Sequence, residues 1–246
     1  AKAGRRLTAR DLSLLAAGDV AGVPVRRKPV VAFAATGDEL SRPGAPRRPG
    51  GIAASSGYGL YALVESWGGA PRDLGILPGT RQAVASLAGL ADGADLIVTL
   101  GGASVGDHDL VGGIEGLALD FWKVAMRPGK PLIFGALDGT RFVGMPGNPV
   151  STLVTALLFV RLAVAAMLGT DTGLPLQRAR LGSALKANDS RQDYLRAKTA
   201  WRDGERWVEP EDVQESSMLR IFAQSDALIV RPPHAPAAEA GAWADI

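Results

Sequence analysis

The 246-residue chain carries 27 Lys and Arg against 25 Asp and Glu and is 47% hydrophobic, a composition that excludes wholesale disorder and leaves room for one medium and one small domain. Its net charge of only +2, without a Lys/Arg stripe interleaved with aromatics, excludes non-specific nucleic-acid binding as a default. The absence of cysteine removes disulfides, thiol nucleophiles and thiolate metal sites together and fits a cytoplasmic setting, and Ala1–Leu7 lacks the apolar core of a secretory signal.

Arg6–Val20 is predicted to be a short helix capped by Thr8, with Leu12, Leu14 and Leu15 on one face and Gly18 ending it. Val30–Ala34 is a continuous apolar run, the pattern of a parallel strand covered by helices on both faces. An Arg/Pro/Gly loop (Ser41–Gly51) precedes a helix over Tyr58–Trp67, a strand over Arg72–Leu77, a helix over Arg81–Leu90 and a strand over Asp95–Leu100. Such alternation implies right-handed crossovers and a largely parallel sheet. Shorter strands are predicted over Phe121–Met126, Pro131–Ala136 and Arg141–Met145, the last two joined by the hairpin signal Asp138-Gly139. A helix over Ser151–Leu168 follows, with Asn148 as N-cap, Pro149 at its first position and Gly169 closing it. Arg161 at the centre of its apolar stretch would cost roughly 2.5–3.5 kcal/mol in a bilayer, so a buried helix is expected and no membrane span. Beyond Thr170–Pro175 the pattern becomes short strands (Arg178–Leu185, Tyr194–Trp201, Trp207–Pro210, Ala227–Arg231), as in a small barrel or sandwich. Pro232–Ala242 reads as a loop near the last strand.

Three glycine-containing loops follow strands, where ligands of open α/β sheets sit. Thr36-Gly37-Asp38-Glu39 offers a hydroxyl and two carboxylates to a metal ion or polar substrate, and reads equally as a helix cap. Gly101-Gly102-Ala103-Ser104-Val105-Gly106-Asp107-His108-Asp109 offers backbone N–H groups and Ser104 to a phosphate; it can also be a capped turn, and His108 is incidental. Arg127 and Lys130 flank the Pro128-Gly129 turn, with Pro131 beyond it, and make a compact oxyanion pocket beside the helix that starts at Asn148. The residues alone point to a phosphorylated substrate with Mg²⁺.

Together, Thr36–Leu40, Gly101–Asp109, Arg127–Pro131 and Pro146-Gly147-Asn148-Pro149-Val150-Ser151, in this order, closely resemble the molybdopterin molybdenumtransferase (MoeA) family, which includes the E domain of gephyrin. Arg191–Arg196 and Gln214-Glu215-Ser216-Ser217 resemble that family's C-terminal domain. The resemblance implies a three-layer α/β/α sandwich with a mostly parallel sheet and a small C-terminal β-barrel, divided as residues 1–24 (an N-terminal remnant), 25–172 and 173–246. It also implies Mg²⁺-dependent insertion of molybdate into adenylylated molybdopterin with release of AMP, by a homodimer, with the molybdopterin adenylyltransferase as a further partner. By position, Arg127, Lys130, Pro131, Ser151, Arg196 and Ser216 would bind molybdate or nucleotide. Ser104, Gly101, Gly102 and Gly106 would meet the pterin phosphates; Glu39, Asp107 and Asp109 would hold Mg²⁺ and, with Lys130, serve catalysis. Thr36, Gly37, Asp38, Gly129, Gly147 and Asn148 complete the expected substrate site. The chain departs from the family at Ala54-Ser55-Ser56, where Asp-x-Asn is common, and at Gly79, where an acidic residue is expected. These departures keep open a non-catalytic paralogue or fragment; molybdopterin adenylyltransferase activity on the same fold is the other alternative.

Overall fold

A computed structural model describes residues 3–101 and 114–246. The chain begins with α1 (Ala9–Ala17), whose Thr8 forms a reciprocal cap with Asp11 and which ends at Gly18, as predicted. There follow β1 (Val30–Thr36), the short parallel pair β2 (Leu40–Ser41) and β3 (Ile52–Ala53), α2 (Ser56–Ser66) and β4 (Ala70–Leu77). The helix predicted over Arg81–Leu90 is broken into α3 (Arg81–Ala85) and α4 (Leu87–Leu90). The break falls at Ser86, whose hydroxyl donates back to the Ala83 carbonyl (2.7 Å) in competition with the helical ladder.

Next come β5 (Leu96–Leu100), β6 (Leu117–Trp122), β7 (Met126–Arg127), β8 (Ile133–Leu137) and β9 (Thr140–Met145). Six of these strands form one sheet in the order β4-β1-β5-β9-β8-β6, parallel from β4 to β9 and antiparallel beyond. Strand alternation decides the layering. Val31 and Phe33 of β1 face Leu60 and Val64 of α2, whereas Ala32 and Ala34 face Val84 and Leu87 of α3 and α4. The Asp138-Gly139 hairpin closes as expected, with both residues at positive φ (46° and 81°).

One expected strand, Phe121–Met126, is two structures. β6 stops at Trp122 because Lys123 turns the chain at φ 65°, and the Lys123 and Val124 N–H groups donate to Leu132 and Lys130 carbonyls (2.9 Å each). Met126–Arg127 then leaves for the second sheet, where it pairs with β11.

Helix α5 (Pro149–Leu168) contains a π-helical turn at Ala156–Val160 and ends at Gly169 with φ 67°. It is long and apolar enough to cross a membrane, with mean hydropathy 2.1, but Val150–Thr155 are buried between the sheet and the barrel. Arg161 ties back to the Leu157 and Gly173 carbonyls (3.2 and 3.1 Å). This is a core helix.

The C-terminal strands are β10 (Arg178–Leu181), β11 (Gln192–Arg202), β12 (Glu205–Pro210), β13 (Ala227–Arg231) and β14 (Trp243–Asp245), with α6 (Leu219–Gln224) between β12 and β13. β12-β10-β14-β13-β11 closes on itself through β11–β12 pairing, giving the small barrel. Leu181, Ala197, Val208 and Ile229 fill it. The other face of β11 carries Tyr194, which packs on Val150 and Val154 of α5, and Arg196 two residues on. The strand expected to reach Leu185 ends at Leu181, with Leu185 making a single bridge to Ala238 in the Pro/Ala tract.

Candidate oxyanion site

The parallel strands β4, β1, β5 and β9 are each followed within two residues by a glycine: Gly79, Gly37, Gly101 and Gly147. The Gly37 N–H donates to the Leu77 carbonyl and the Gly101 N–H to the Met145 carbonyl (3.1 Å each), so the ladder continues one residue past the strands. A Cβ placed on Gly101 would lie 2.8 Å from the Thr36 carbonyl and 3.8 Å from Gly147 Cα; one on Gly79 would lie 3.7 Å from Gly37 Cα. The strand ends therefore form a floor of bare backbone, which a ligand can approach as no side chain would permit. The Thr36 hydroxyl is buried beside this floor without a hydrogen-bond partner among the described residues.

Glu39 folds back over the floor, its Oε2 only 2.5 Å from where a Gly37 Cβ would be. Asp38 beside it is exposed. Among the described residues no three acidic or histidine side chains cluster as metal ligands. The other expected acidic residues, Asp107 and Asp109, lie outside the described residues, as do Gly102, Ser104 and Gly106.

The second half of the site is the start of α5. Asn148 occupies the N-cap position, as predicted, yet its side chain does not cap: Nδ2 donates to Ser216 Oγ (3.0 Å). The Ser216 carbonyl accepts from the Val150 N–H (3.1 Å), which leaves the Ser151 N–H without an acceptor among the described residues. Ser216 is held there by Gln214, whose amide accepts from the Arg196 N–H (2.9 Å) and donates to the Arg196 and Glu211 carbonyls (2.9 and 2.8 Å). Gln214 is thus a positioning residue that its motif contained but to which sequence reasoning gave no role.

Arg196 itself is 2% exposed and has no ion-pair partner among the described residues, and its buried Nη2 makes no hydrogen bond. Burial pulls the guanidinium below its ordinary pKa. It sits on the β11 face that packs against the first turns of α5. Asn148, Ser151, Arg196 and Ser216, far apart in sequence, are brought to one end of one helix.

The two expected loop cations differ in state. Arg127 is bound to buried Asp193 and to Asp189 (3.3 Å), and the Asp193 contact raises its pKa. It acts as a strut between β7 and β11. Lys130 is exposed, with no ion-pair partner among the described residues. Gly129 between them is buried at φ 116°, where a Cβ would meet the Thr155 methyl at 2.5 Å; its absence lets the loop lie on α5. Pro131 is half-buried at the loop's end.

A bare-backbone floor at parallel strand ends, an open helix N-terminus and a buried guanidinium without an ion-pair partner among the described residues are features suited to phosphate-like anions, on an α/β domain closed by a barrel. Residues 32–166 match the family described as a probable molybdopterin binding domain, and residues 178–246 match the MoeA C-terminal region (domain IV). The chain belongs to the molybdopterin molybdenumtransferase (MoeA) family. It is 35% identical to the molybdopterin molybdenumtransferase of Haemophilus influenzae over 92% of its own length and 58% of that protein's. Against the protein of the same name from Bacillus subtilis it is 32% identical, over 93% of the chain and 54% of the relative. The crystal structure of the molybdopterin biosynthesis moeA protein from Pyrococcus horikosii superposes with a TM-score of 0.85 at 28% identity, covering 99% of this chain and 60% of that one. The chain thus spans little more than half the length of the curated relatives it matches.

Proposed function

We propose that the chain acts in molybdenum cofactor biosynthesis, inserting molybdate into adenylylated molybdopterin with release of AMP. One observation carries this reading: the buried Arg196 guanidinium has no anionic partner among the described residues and belongs to the β11 face that packs against the start of α5, where the Ser151 N–H is also without an acceptor among them. A buried cation is ordinarily paired, so an unpaired one beside open N–H donors fits a bound oxyanion, and molybdate and phosphate are both tetrahedral oxyanions.

In this reading Arg196, Ser151, Asn148 and Ser216 hold the oxyanion, and Lys130 approaches from the opposite loop to neutralise charge as the phosphoanhydride breaks. Thr36, Gly37, Asp38, Gly101, Gly102, Ser104, Gly106 and Gly147 cradle the phosphate end of the substrate, with Gly129 and Pro131 shaping the loop that presents Lys130. Arg127 contributes by fixing that loop to β11. Glu39, whose carboxylate lies over the floor, would offer one hard oxygen ligand for Mg²⁺, and Asp107 and Asp109 would complete the set; the ion would neutralise the leaving phosphate. Residues 25–172 form the substrate domain and 173–246 the closing barrel, in a cytoplasmic homodimer.

The test is calorimetric titration of the chain with molybdate and with AMP, with and without Mg²⁺, in the parent and Lys130→Ala, followed by AMP release from adenylylated molybdopterin. Saturable binding weakened by the substitution, together with AMP release, is expected. Binding without release would favour a non-catalytic binder, a reading supported by the exposed Gly79 after β4, at a position where the family resemblance leads one to expect an acidic residue.

A further inference from the structure

Coverage of α5 is uneven. Val150–Thr155, Val160 and Val164 are buried, but Leu157, Leu158 and Phe159 are only half-buried and Leu162 is 41% exposed. Beside Leu157 and Leu158 lies a cavity of about 550 Å³, between α5, α6, the barrel and the Leu174–Gln177 segment that leads from α5 into the barrel. That volume falls in the range of small-molecule sites, roughly 300–1,000 Å³. Leu157, Leu158, Tyr194, Phe222, Leu228 and Val230 give the cavity apolar walls, and it shares no residue with the oxyanion site.

Two cations, Arg161 and Arg206, line it as well. The π-helical turn sets the first: the Arg161 N–H donates to the Ala156 carbonyl, one residue further back than in an α-helix. The side chain serves the carbonyl that this N–H passes over, with Nε donating to Leu157 (3.2 Å) and Nη2 to the Gly173 carbonyl (3.1 Å). Arg206, on β12, donates through Nη1 to Gln177 Oε1, and its buried Nε has no hydrogen-bond partner among the described residues. These acceptors are all neutral oxygens, and neither guanidinium has an ion-pair partner among the described residues. Asp226, whose acidic side chain also lines the cavity, is engaged elsewhere: its oxygens accept from the Thr199 N–H (2.7 Å) and hydroxyl (3.0 Å). Bonding to Gly173 and Gln177 holds both charges on the side of the cavity that the connecting segment covers.

We infer that this cavity binds an amphipathic carboxylate of the fatty-acid class, with its tail along the walls of α5 and α6 and its head on Arg161 and Arg206. A guanidinium fork matches a carboxylate in geometry and charge. The apolar walls select against inorganic anions, which would exchange their hydration for Leu and Phe side chains. A neutral apolar ligand would cover Leu157 and Leu158 but leave the Arg206 Nε without an acceptor. A carboxylate on an apolar tail satisfies both, and each methylene it buries adds to affinity.

The test is calorimetry on the full chain with decanoate, the decyltrimethylammonium cation and acetate, with thermal melts to check that each variant folds. Decanoate is expected to bind saturably at one per chain. The cation with the same tail should bind at least about tenfold more weakly, the loss of a charge-assisted hydrogen bond. Acetate, which has the head without the tail, should not bind measurably. Arg206→Met keeps an apolar stem and should remove the preference for the anion. Phe222→Ala should weaken both amphiphiles, and Arg202→Met, outside the cavity, should change neither. Equal binding of anion and cation by the parent, uptake of several decanoates per chain, or a folded Arg206→Met protein that keeps the preference overturns the inference. Excess molybdate should leave the decanoate titration unchanged; competition between them would put the carboxylate in the oxyanion site and overturn the inference as well. Failure of the chain to bind molybdate or AMP would sink the reading of the oxyanion site while leaving this one standing.

Discussion

Replacing Arg196 with Met should stabilise the chain while disabling the proposed anion site. The methionine keeps most of the aliphatic stem in the space between β11 and α5 and removes a charged group that is 2% exposed with an unsatisfied Nη2. A buried polar atom without a partner costs roughly 1–3 kcal/mol, and a charged one more, so unfolding free energy should rise by about 1–3 kcal/mol. For a chain of this size that corresponds to about 2–12 °C in melting temperature. A charge-assisted hydrogen bond to a bound oxyanion contributes about 1.5–3 kcal/mol, so affinity for molybdate or AMP should fall roughly 10- to 150-fold. Urea unfolding in anion-free buffer and calorimetry on the same preparations measure both quantities. A variant that is less stable and binds anions as well as the parent would show that Arg196 is an internal structural group, and the functional argument built on it would fail.

Gly101→Ala should be destabilising and should weaken anion binding, because φ is 99° there and the new methyl would lie 2.8 Å from the Thr36 carbonyl; the backbone strain alone is of order 1–3 kcal/mol, readable by urea unfolding. Asp95 has its pKa lowered first by hydrogen bonding from Arg27 and also by the Val30 N–H. A lowered carboxylate pKa stabilises the fold above the unfolded value, 3.8, and that contribution is lost as pH falls through the folded value. Asp95→Asn should therefore reduce stability at pH 7 and shrink the difference from the parent at pH 3, measured by thermal melts across that range; an equal difference at both pH values would contradict the assignment.

What the sequence could disclose followed from local pattern. Val30–Thr36 and Leu96–Leu100 were readable because a strand covered on both faces must be apolar at every position, and the Thr8 and Asn148 starts were readable because cap positions carry their own chemistry. Phe121–Met126 misled because an apolar run looks the same whether it stays in one sheet or turns at Lys123 and joins another. α6 and β14 were missed: α6 buries no residue, and β14 is held by pairing with β10 and β13. Arg127 and Lys130 looked equivalent in the loop, and only the partner strand, with Asp193, separates them. That Asn148 would turn away from its helix toward Ser216 has no local signal at all.

The placement of the site follows from how α5 is buried. Its apolar residues run around the helix, and a sheet can cover only one side, with Val143, Met145 and Leu132 among the buried residues packed there. The other side needs a second apolar surface, which Tyr194, Leu228 and Val230 of the barrel supply. Once the barrel is seated, the outward face of β11 lies along the first turns of α5, and Arg196 is committed to that neighbourhood by strand alternation, two residues from Tyr194. The Arg127–Asp193 strut fixes β7 to β11, and Gln214 fixes the Ser216 segment to Arg196, so both loops at the helix end are tied to the same strand. Burying the helix thus brings residues of the two sheets to one end of that helix, the proposed anion site. On the proposed reading the cost falls on Arg196, a buried charge without an ion-pair partner among the described residues, which an arriving anion would make favourable.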